Sequence, residues 1–294
     1  MIKSSYGILA SGNLGLICIE KIAKKASIKF VLTDKLSNSI IDYCHHNSLP
    51  VFIGNPRNGK AISFLSNYPV DVILSINYLF IVEKDIIDIP KKYAINFHGS
   101  LLPKYRGRTP HVWAIINNES ETGITAHMMS EGCDEGDLVH QEKISISTNS
   151  TGADILNKYV EVYPTVISHV MEAIESGNIM LAKQDGTKAT WFGKRTPEDG
   201  EINWAWQKER IFNWVRALAR PYPGAFTFYQ NNRIEIHRIA YSNHGFNASD
   251  ENGKILCIDK SIIVKTENGA VELLDIVAPP TINFKIGEAF HGRY

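Results

Sequence analysis

The sequence predicts an α/β chain in two parts, a mostly parallel sheet with helices on both faces and then a smaller β-rich domain. That expectation rests on three features. Apolar runs alternate with amphipathic stretches through the first hundred residues, composition shifts near residue 180, and from Gly224 onward short β-rich runs are split by turn signals. At 294 residues the chain is long enough for two domains of about 150 residues each and for a core without disulfide staples.

Each element follows in order. Tyr6 to Ala10 reads as a strand, Gly15 to Lys25 as a helix, Ile28 to Thr33 as a strand and Leu36 to His46 as a helix. Pro50 to Ile53, Val70 to Ile76 and Ala94 to Phe97 continue the strands, with helical candidates between them. Right-handed crossovers then put helices on both faces of a Rossmann-like sheet. Gly123 to Met129 and Leu138 to Ile146 alternate like sheet-edge strands around the polar SEGCDEGD, and Ile155 to Ser176 has helical spacing. In KRTPEDGEINW, Pro197 and Gly200 punctuate a loop, and a helix from about Gln207 to Ala219 is ended by Pro221. AFTFYQ, a turn at Asn231-Asn232, RIEIHRIAY and ILCIDKSIIVKTENGAVELL then suit a small all-β barrel or sandwich. The expected domains are residues 1–180, a linker at 181–205, and 206–294.

Composition bounds the function. Hydrophobic residues make up 44% and charged residues 21%, an ordinary folded mix. Lys+Arg and Asp+Glu both total 31, so no global positive field exists to hold a nucleic acid. Cys18, Cys44, Cys133 and Cys257 lack C-x-x-C spacing and a zinc-type Cys/His cluster, so free thiols and no metal are expected. The opening MIKSSYGILASGNLG has no signal-type apolar region, and no later run reaches about 18 apolar residues. A cytoplasmic protein that does not enter membranes is expected.

Two stretches carry chemistry. SGNLG, Ser11 to Gly15, lies between the first strand and first helix, where backbone amides of Gly12 and Asn13 suit a phosphate or carboxylate. Asp34 then falls where a dinucleotide fold places its ribose ligand, but Gly12-x-x-Gly15 is not a full G-x-G-x-x-G. A tight strand-to-helix turn explains the same residues. INFHGSLLPKYRGRTPHVWAI packs Asn96, His98, Ser100, Arg106, Arg108 and His111 just after a buried strand. Asn96 and His98 are two apart, so both point to one side of an extended chain. About forty residues later, Asp134 sits in the acidic, glycine-flanked GCDEGD.

Asn96-x-His98-x-Ser100-Leu-Leu-Pro, Arg106-Gly-Arg108-x-Pro, Thr122-Gly-x-Thr125 and Asp134-x-Gly136-Asp137 resemble the folate-dependent formyltransferase family. The resemblance implies a catalytic Asn96, His98 and Asp134, with 10-formyltetrahydrofolate as co-substrate and no metal. It implies a pterin held by Tyr78, Leu79, Phe80 and Val82 and by the Ser130 to Asp134 loop, including Cys133. It also implies a β-rich, OB-like second domain. Attack of a neutral amine on a formyl carbon builds an oxyanion that needs donors placed in advance, which Asn96 and protonated His98 supply. His98 acting as general base is the alternative, and Asp134 either orients the ring or relays a proton through water.

GKRTPEDG with Trp204, and Arg220-Pro-Tyr-Pro-Gly-Ala-Phe-Thr, further resemble the sugar N-formyltransferases that act on nucleotide-linked 4-amino sugars, which implies a dTDP- or UDP-linked 4-amino-dideoxy sugar as substrate. The resemblance extends to the formylating half of the UDP-4-amino-4-deoxyarabinose enzyme, which implies a part in surface polysaccharide, such as lipopolysaccharide O-antigen, biosynthesis. Substrate contacts are then expected from Gly12, Asn13, Ser100, Arg106, Arg108, Lys194 and Arg195, and a homodimer is compatible. Methionyl-tRNA formyltransferases are the competing branch. They usually open with Gly-Thr-Pro where this chain has SGNLG. Residues 200–294 hold 11 Lys+Arg against 10 Asp+Glu, a poor grip on tRNA. Two further classes share such a scaffold, a nicotinamide oxidoreductase and a non-catalytic module that binds folate or a nucleotide sugar.

Overall fold

The computed structural model describes residues 3–292; Met1, Ile2, Arg293 and Tyr294, at the ends of the two expected domains, lie outside the described residues. The chain begins as β1 (Ser5–Ala10), α1 (Gly12–Ala23), β2 (Ser27–Thr33), α2 (Asn38–His46), β3 (Val51–Ile53), α3 (Ile62–Leu65), β4 (Val72–Ile76), α4 (Lys84–Ile87) and β5 (Tyr93–His98). It continues through β6 (Arg106–Gly107), α5 (Pro110–Ile116), β7 (Glu121–Met128), β8 (Leu138–Ser145), α6 (Gly152–Ser176) and β9 (Trp191–Phe192). It closes with α7 (Lys208–Leu218), β10 (Ala225–Tyr229), β11 (Asn232–Ser242), β12 (Ile255–Ile258), β13 (Ile262–Thr266) and β14 (Gly269–Val277).

Two compact units share these elements. One comprises the described residues up to Gly107 with Thr122–Ile144 and Asn157–Phe192; the other comprises Arg108–Glu121, Ser145–Leu156 and the described residues from Gly193 onward. The chain passes between units several times, which no composition shift reveals.

The first unit holds a seven-stranded sheet in the order β3-β2-β1-β4-β5-β7-β8, parallel from β3 to β5 and antiparallel at β5–β7. β4, VILSI, is buried along its length, as helix-covered parallel strands must be. Its core joins Leu9, Phe30, Leu32, Leu65, Val70, Ile73 and Ile86. Three helices start away from their expected positions, α6 at Gly152 and not Ile155 among them. α1 begins at Gly12 (φ 66°), because the turn itself enters the helix. α2 begins at Asn38 and not Leu36, because Asp34 accepts from the Leu36 amide at 2.8 Å and turns the chain first.

The second unit holds a five-stranded antiparallel sheet, β10-β11-β14-β13-β12. β10 and β11 meet through Gln230 (φ 47°) and Asn231 (φ 63°), a two-residue turn lying one position before the expected one. The segment 287–291 then joins the two edge strands. Phe228 and His291 exchange backbone bonds at 2.9 Å, while the Ile255 amide donates to Glu288 and the Gly287 amide to Ile255. That closure favours the barrel over the sandwich. α5 packs on α7 within this unit, and Arg216 of α7 donates to the Ser150 carbonyl at 2.6 Å.

Candidate active site

β5 ends at the carboxyl edge of the sheet, and its register against β7 pairs Asn96 with His127 and His98 with Thr125. Alternate residues of a strand share a face, so Asn96 and His98 project together. The loop from β7 to β8 returns Asp134 over that edge at φ 55°, with its base closed by the Met128 amide donating to Asp137.

Asp134 is the hub. Its Oδ2 lies 3.6 Å from His98 Nδ1, and its Oδ1 lies 3.5 Å from Asn96 Nδ2 and 3.5 Å from His127 Nε2. The Gly107 amide donates to Oδ2 at 2.8 Å. Burial alone raises the Asp134 pKa, but the neighbouring His98 and the Gly107 N–H oppose it, and the carboxyl is held well below its ordinary range. Asp134 is therefore an anion.

Partner chemistry fixes the rings. A carbonyl only accepts, so the 2.7 Å contact with the Tyr105 carbonyl places a proton on His98 Nε2. His98 Nδ1 then either donates to Asp134 as imidazolium or presents its lone pair. Burial lowers the His98 pKa and outweighs the attraction of Asp134 and the Tyr105 carbonyl. In the same way, His127 Nδ1 donates to the Met128 carbonyl at 2.8 Å, which leaves Nε2 to accept from Asn96 Nδ2 at 3.1 Å.

The structure thus brings Asn96, His98 and Asp134 together. Tyr78 and Val82 pack on the core of the first unit, and Tyr78 meets Phe80 edge-on at 5.5 Å. Leu79 and Ile81 are exposed. Lys84 pairs with Glu131 at 3.7 Å, which links the start of α4 to the loop carrying Ser130, Cys133 and Asp134. Ser130 Oγ donates to the Gly132 carbonyl, and the exposed Cys133 thiol donates to Asp134 Oδ2 at 3.4 Å. Burial and the neighbouring carboxylates push that thiol up to about 11.

Several expected substrate contacts have other partners. Ser100 is buried, and its hydroxyl donates to the Lys104 carbonyl at 2.7 Å, so it closes a turn. Arg106 is 5% exposed, with Nη1 on Glu135 at 3.2 Å and Nη2 on Gln184 at 2.8 Å; it is a brace. Arg195, in the second unit, lies 4.9 Å from the Trp113 ring centroid and 4.4 Å from that of Trp214, and donates to the Asp199 carbonyl. It is a stacked linker residue. The Gly12 amide donates to Ser37 Oγ at 2.8 Å, and Ser37 donates to Asp34 at 2.5 Å. This clamp already complements the start of α1 with a carboxylate, which favours the tight-turn reading. It leaves Asp34 buried among its own partners and unsuited to a ribose. Asn13, Arg108 and Lys194 are exposed.

Sequence reasoning missed His127, Gln184 and the backbone of Tyr105 and Gly107. His127 had a signal: it stands two residues after Thr125 on the same strand face. Gln184 had none, lying fifty residues from the loop that it holds.

Comparison with known proteins bears on the family and the fold. Residues 23–171 match the formyl transferase family and residues 194–292 match the formyl transferase C-terminal domain. The fold resembles WlaRD, a sugar 3N-formyl transferase solved with dTDP and 5-N-formyl-THF, at 18% identity and TM-score 0.72, covering 96% of this chain and 99% of that one. It resembles the N-formyltransferase from Helicobacter canadensis, solved with folinic acid and dTDP-3-aminofucose, at 20% identity and TM-score 0.74, covering 93% and 99%. The methionyl-tRNA formyltransferase from Clostridium thermocellum is also similar, at 20% identity and TM-score 0.58, covering 92% and 99%. With family matches over both halves of its sequence, this chain belongs to the formyl transferase family.

Proposed function

We propose that the chain transfers the formyl group of 10-formyltetrahydrofolate to the amine of a nucleotide-linked amino sugar, using Asn96, His98 and Asp134. The observation that carries this reading is the convergence of Asn96 and His98 on the Asp134 carboxylate, at 3.5 and 3.6 Å, in a chain of this family. Formyl-folate supplies an electrophilic carbon when bound. Tyr78 to Val82 and Ser130 to Cys133 are the segments proposed to hold its pterin.

Asp134, ionised and half-buried, holds His98 Nδ1 toward the reacting centre and favours its imidazolium form. His98 then either takes the amine proton or donates to the developing oxyanion. The 3.5 Å bond from Asn96 Nδ2 to Asp134 is at the limit of hydrogen bonding, so this N–H is the one available to a reacting oxygen.

Support for a sugar over tRNA comes from charge and fold. The stretch from residue 200 onward carries a net charge of only +1, from 11 Lys+Arg and 10 Asp+Glu. Two of the similar structures are described as a sugar 3N-formyl transferase and as a complex with dTDP-3-aminofucose. A cytoplasmic role in surface-polysaccharide biosynthesis fits such a product. The test is incubation with 10-formyltetrahydrofolate and a panel of dTDP- and UDP-linked 3-amino and 4-amino sugars, followed by mass spectrometry. Added formyl mass on a panel member supports the reading; formylation of methionyl-tRNA alone overturns it.

A further inference from the structure

Asp134 stands on an irregular loop with a left-handed backbone, so something must fix that loop if its distances to His98 and Asn96 are to persist. The Gly107 amide holds the carboxylate. Gln184 holds the backbone. Its Nε2 donates to the carbonyls of Asp134 at 2.8 Å and Gly136 at 2.7 Å, and its Oε1 accepts from Arg106 Nη2 at 2.8 Å. Because a guanidinium only donates, this amide cannot turn over, and both of its protons have set partners.

The residues that follow Gln184 brace the other side. Arg106 and Gly107 pair in parallel with Trp191 and Phe192 as β6 and β9. Trp191 lies 5.2 Å from the Arg106 guanidinium, and Phe192 stacks on Tyr105 at 4.9 Å, the residue whose carbonyl fixes His98. Gly107 has φ 99°, and a Cβ there would stand 2.3 Å from the Phe192 carbonyl oxygen, so only glycine fits between the strands. Segment 184–192 therefore touches Tyr105, Arg106, Gly107, Asp134 and Gly136, the groups that orient the His98–Asp134 pair.

We propose that Gln184 is a positioning residue for Asp134, and that segment 184–192 sets the distance between Asp134 and His98. The proposal rests on the reading of those two residues as catalytic. Without the Gln184 amide, two loop carbonyls lose their donor and Arg106 keeps only Glu135, and the carboxylate drifts from His98 Nδ1. Asp134 is what raises the proton affinity of His98 against burial. The limb of the pH–rate profile governed by His98 thus moves to lower pH, whichever protonation state is the active one.

The test uses the full chain with Gln184→Glu and Gln184→Met. Glutamate keeps an oxygen for Arg106 but has no proton for the carbonyls at neutral pH; methionine keeps the volume alone. Both are expected to lower kcat by about tenfold or more. KM for 10-formyltetrahydrofolate should stay within about threefold, and the His98 ring, followed by nitrogen NMR without substrate, should titrate at lower pH. Wild-type kcat and His98 titration in a folded Gln184→Glu variant would overturn the proposal, even if Gln184→Met does not fold. A parallel His98→Ala variant separates the two ideas. Retained turnover there removes the catalytic reading, while the NMR titration still decides whether Gln184 places Asp134.

Discussion

His98 donates from Nε2 to the Tyr105 carbonyl at 2.7 Å, so Nδ1, 3.6 Å from Asp134, is the ring atom left to change its protonation. The pair is one device. Asp134→Asn removes the charge opposite Nδ1, and His98→Ala removes the ring itself. Their losses in turnover should not add, and the double variant should match the worse single one. A double-mutant cycle that gives fully additive losses would show that the two act separately.

His127 orients Asn96, the third member of the site, from the neighbouring strand. It accepts from the Asn96 amide at 3.1 Å and faces Asp134 at 3.5 Å while 3% exposed. His127→Leu strands a half-buried Asn96 amide proton, at a cost of about 1 kcal/mol. Thermal melting should register that loss, and turnover should fall by about tenfold as Asn96 loses its orientation. Unchanged melting and turnover would place His127 outside the site.

In the second unit, His111 lies 2.6 Å from the Tyr222 hydroxyl, and burial pushes its pKa down to about 4. The unfolded chain binds this proton near pH 6.5 while the folded chain refuses it until about pH 4. Stability contributed by the neutral ring is therefore full above about pH 6.5 and declines as pH falls toward 4. Urea midpoints should follow that slope in the wild type, and His111→Leu should flatten it. An unaltered slope in the variant would assign the acid sensitivity elsewhere.

Arg195 lies between the faces of Trp113 and Trp214. Arg195→Lys keeps the charge but loses the planar stack, so stability should fall by about 1 kcal/mol. Differential scanning calorimetry measures this directly. No change in melting would mean that the stack contributes nothing.

Much of this molecule is legible in its sequence because burial imposes periodicity. β1, β2, β4 and β5 are apolar runs in the text, and Asn96 and His98 stand out as polar residues at the end of such a run. What the sequence hides is partnership. Ser100, Arg106 and Arg195 look like ligand contacts because they are polar and sit beside the motifs, yet each satisfies a neighbour within the fold. Gln184 looks like a loop residue, and only the path of the chain after α6 brings it to Asp134. Composition shifts near residue 180, and the expected linker spans Phe192, but the earlier crossings after Gly107, Glu121, Ile144 and Leu156 fall where no shift in composition marks them.

The decisive quantity is the rate of formyl transfer by His98→Ala, measured in single turnovers with 10-formyltetrahydrofolate and an accepted amino-sugar nucleotide. At the site described, transfer should slow at least about a hundredfold, about 2.7 kcal/mol of barrier, while the melting curve confirms a folded chain. Transfer within about twofold of wild type would contradict a catalytic role for His98.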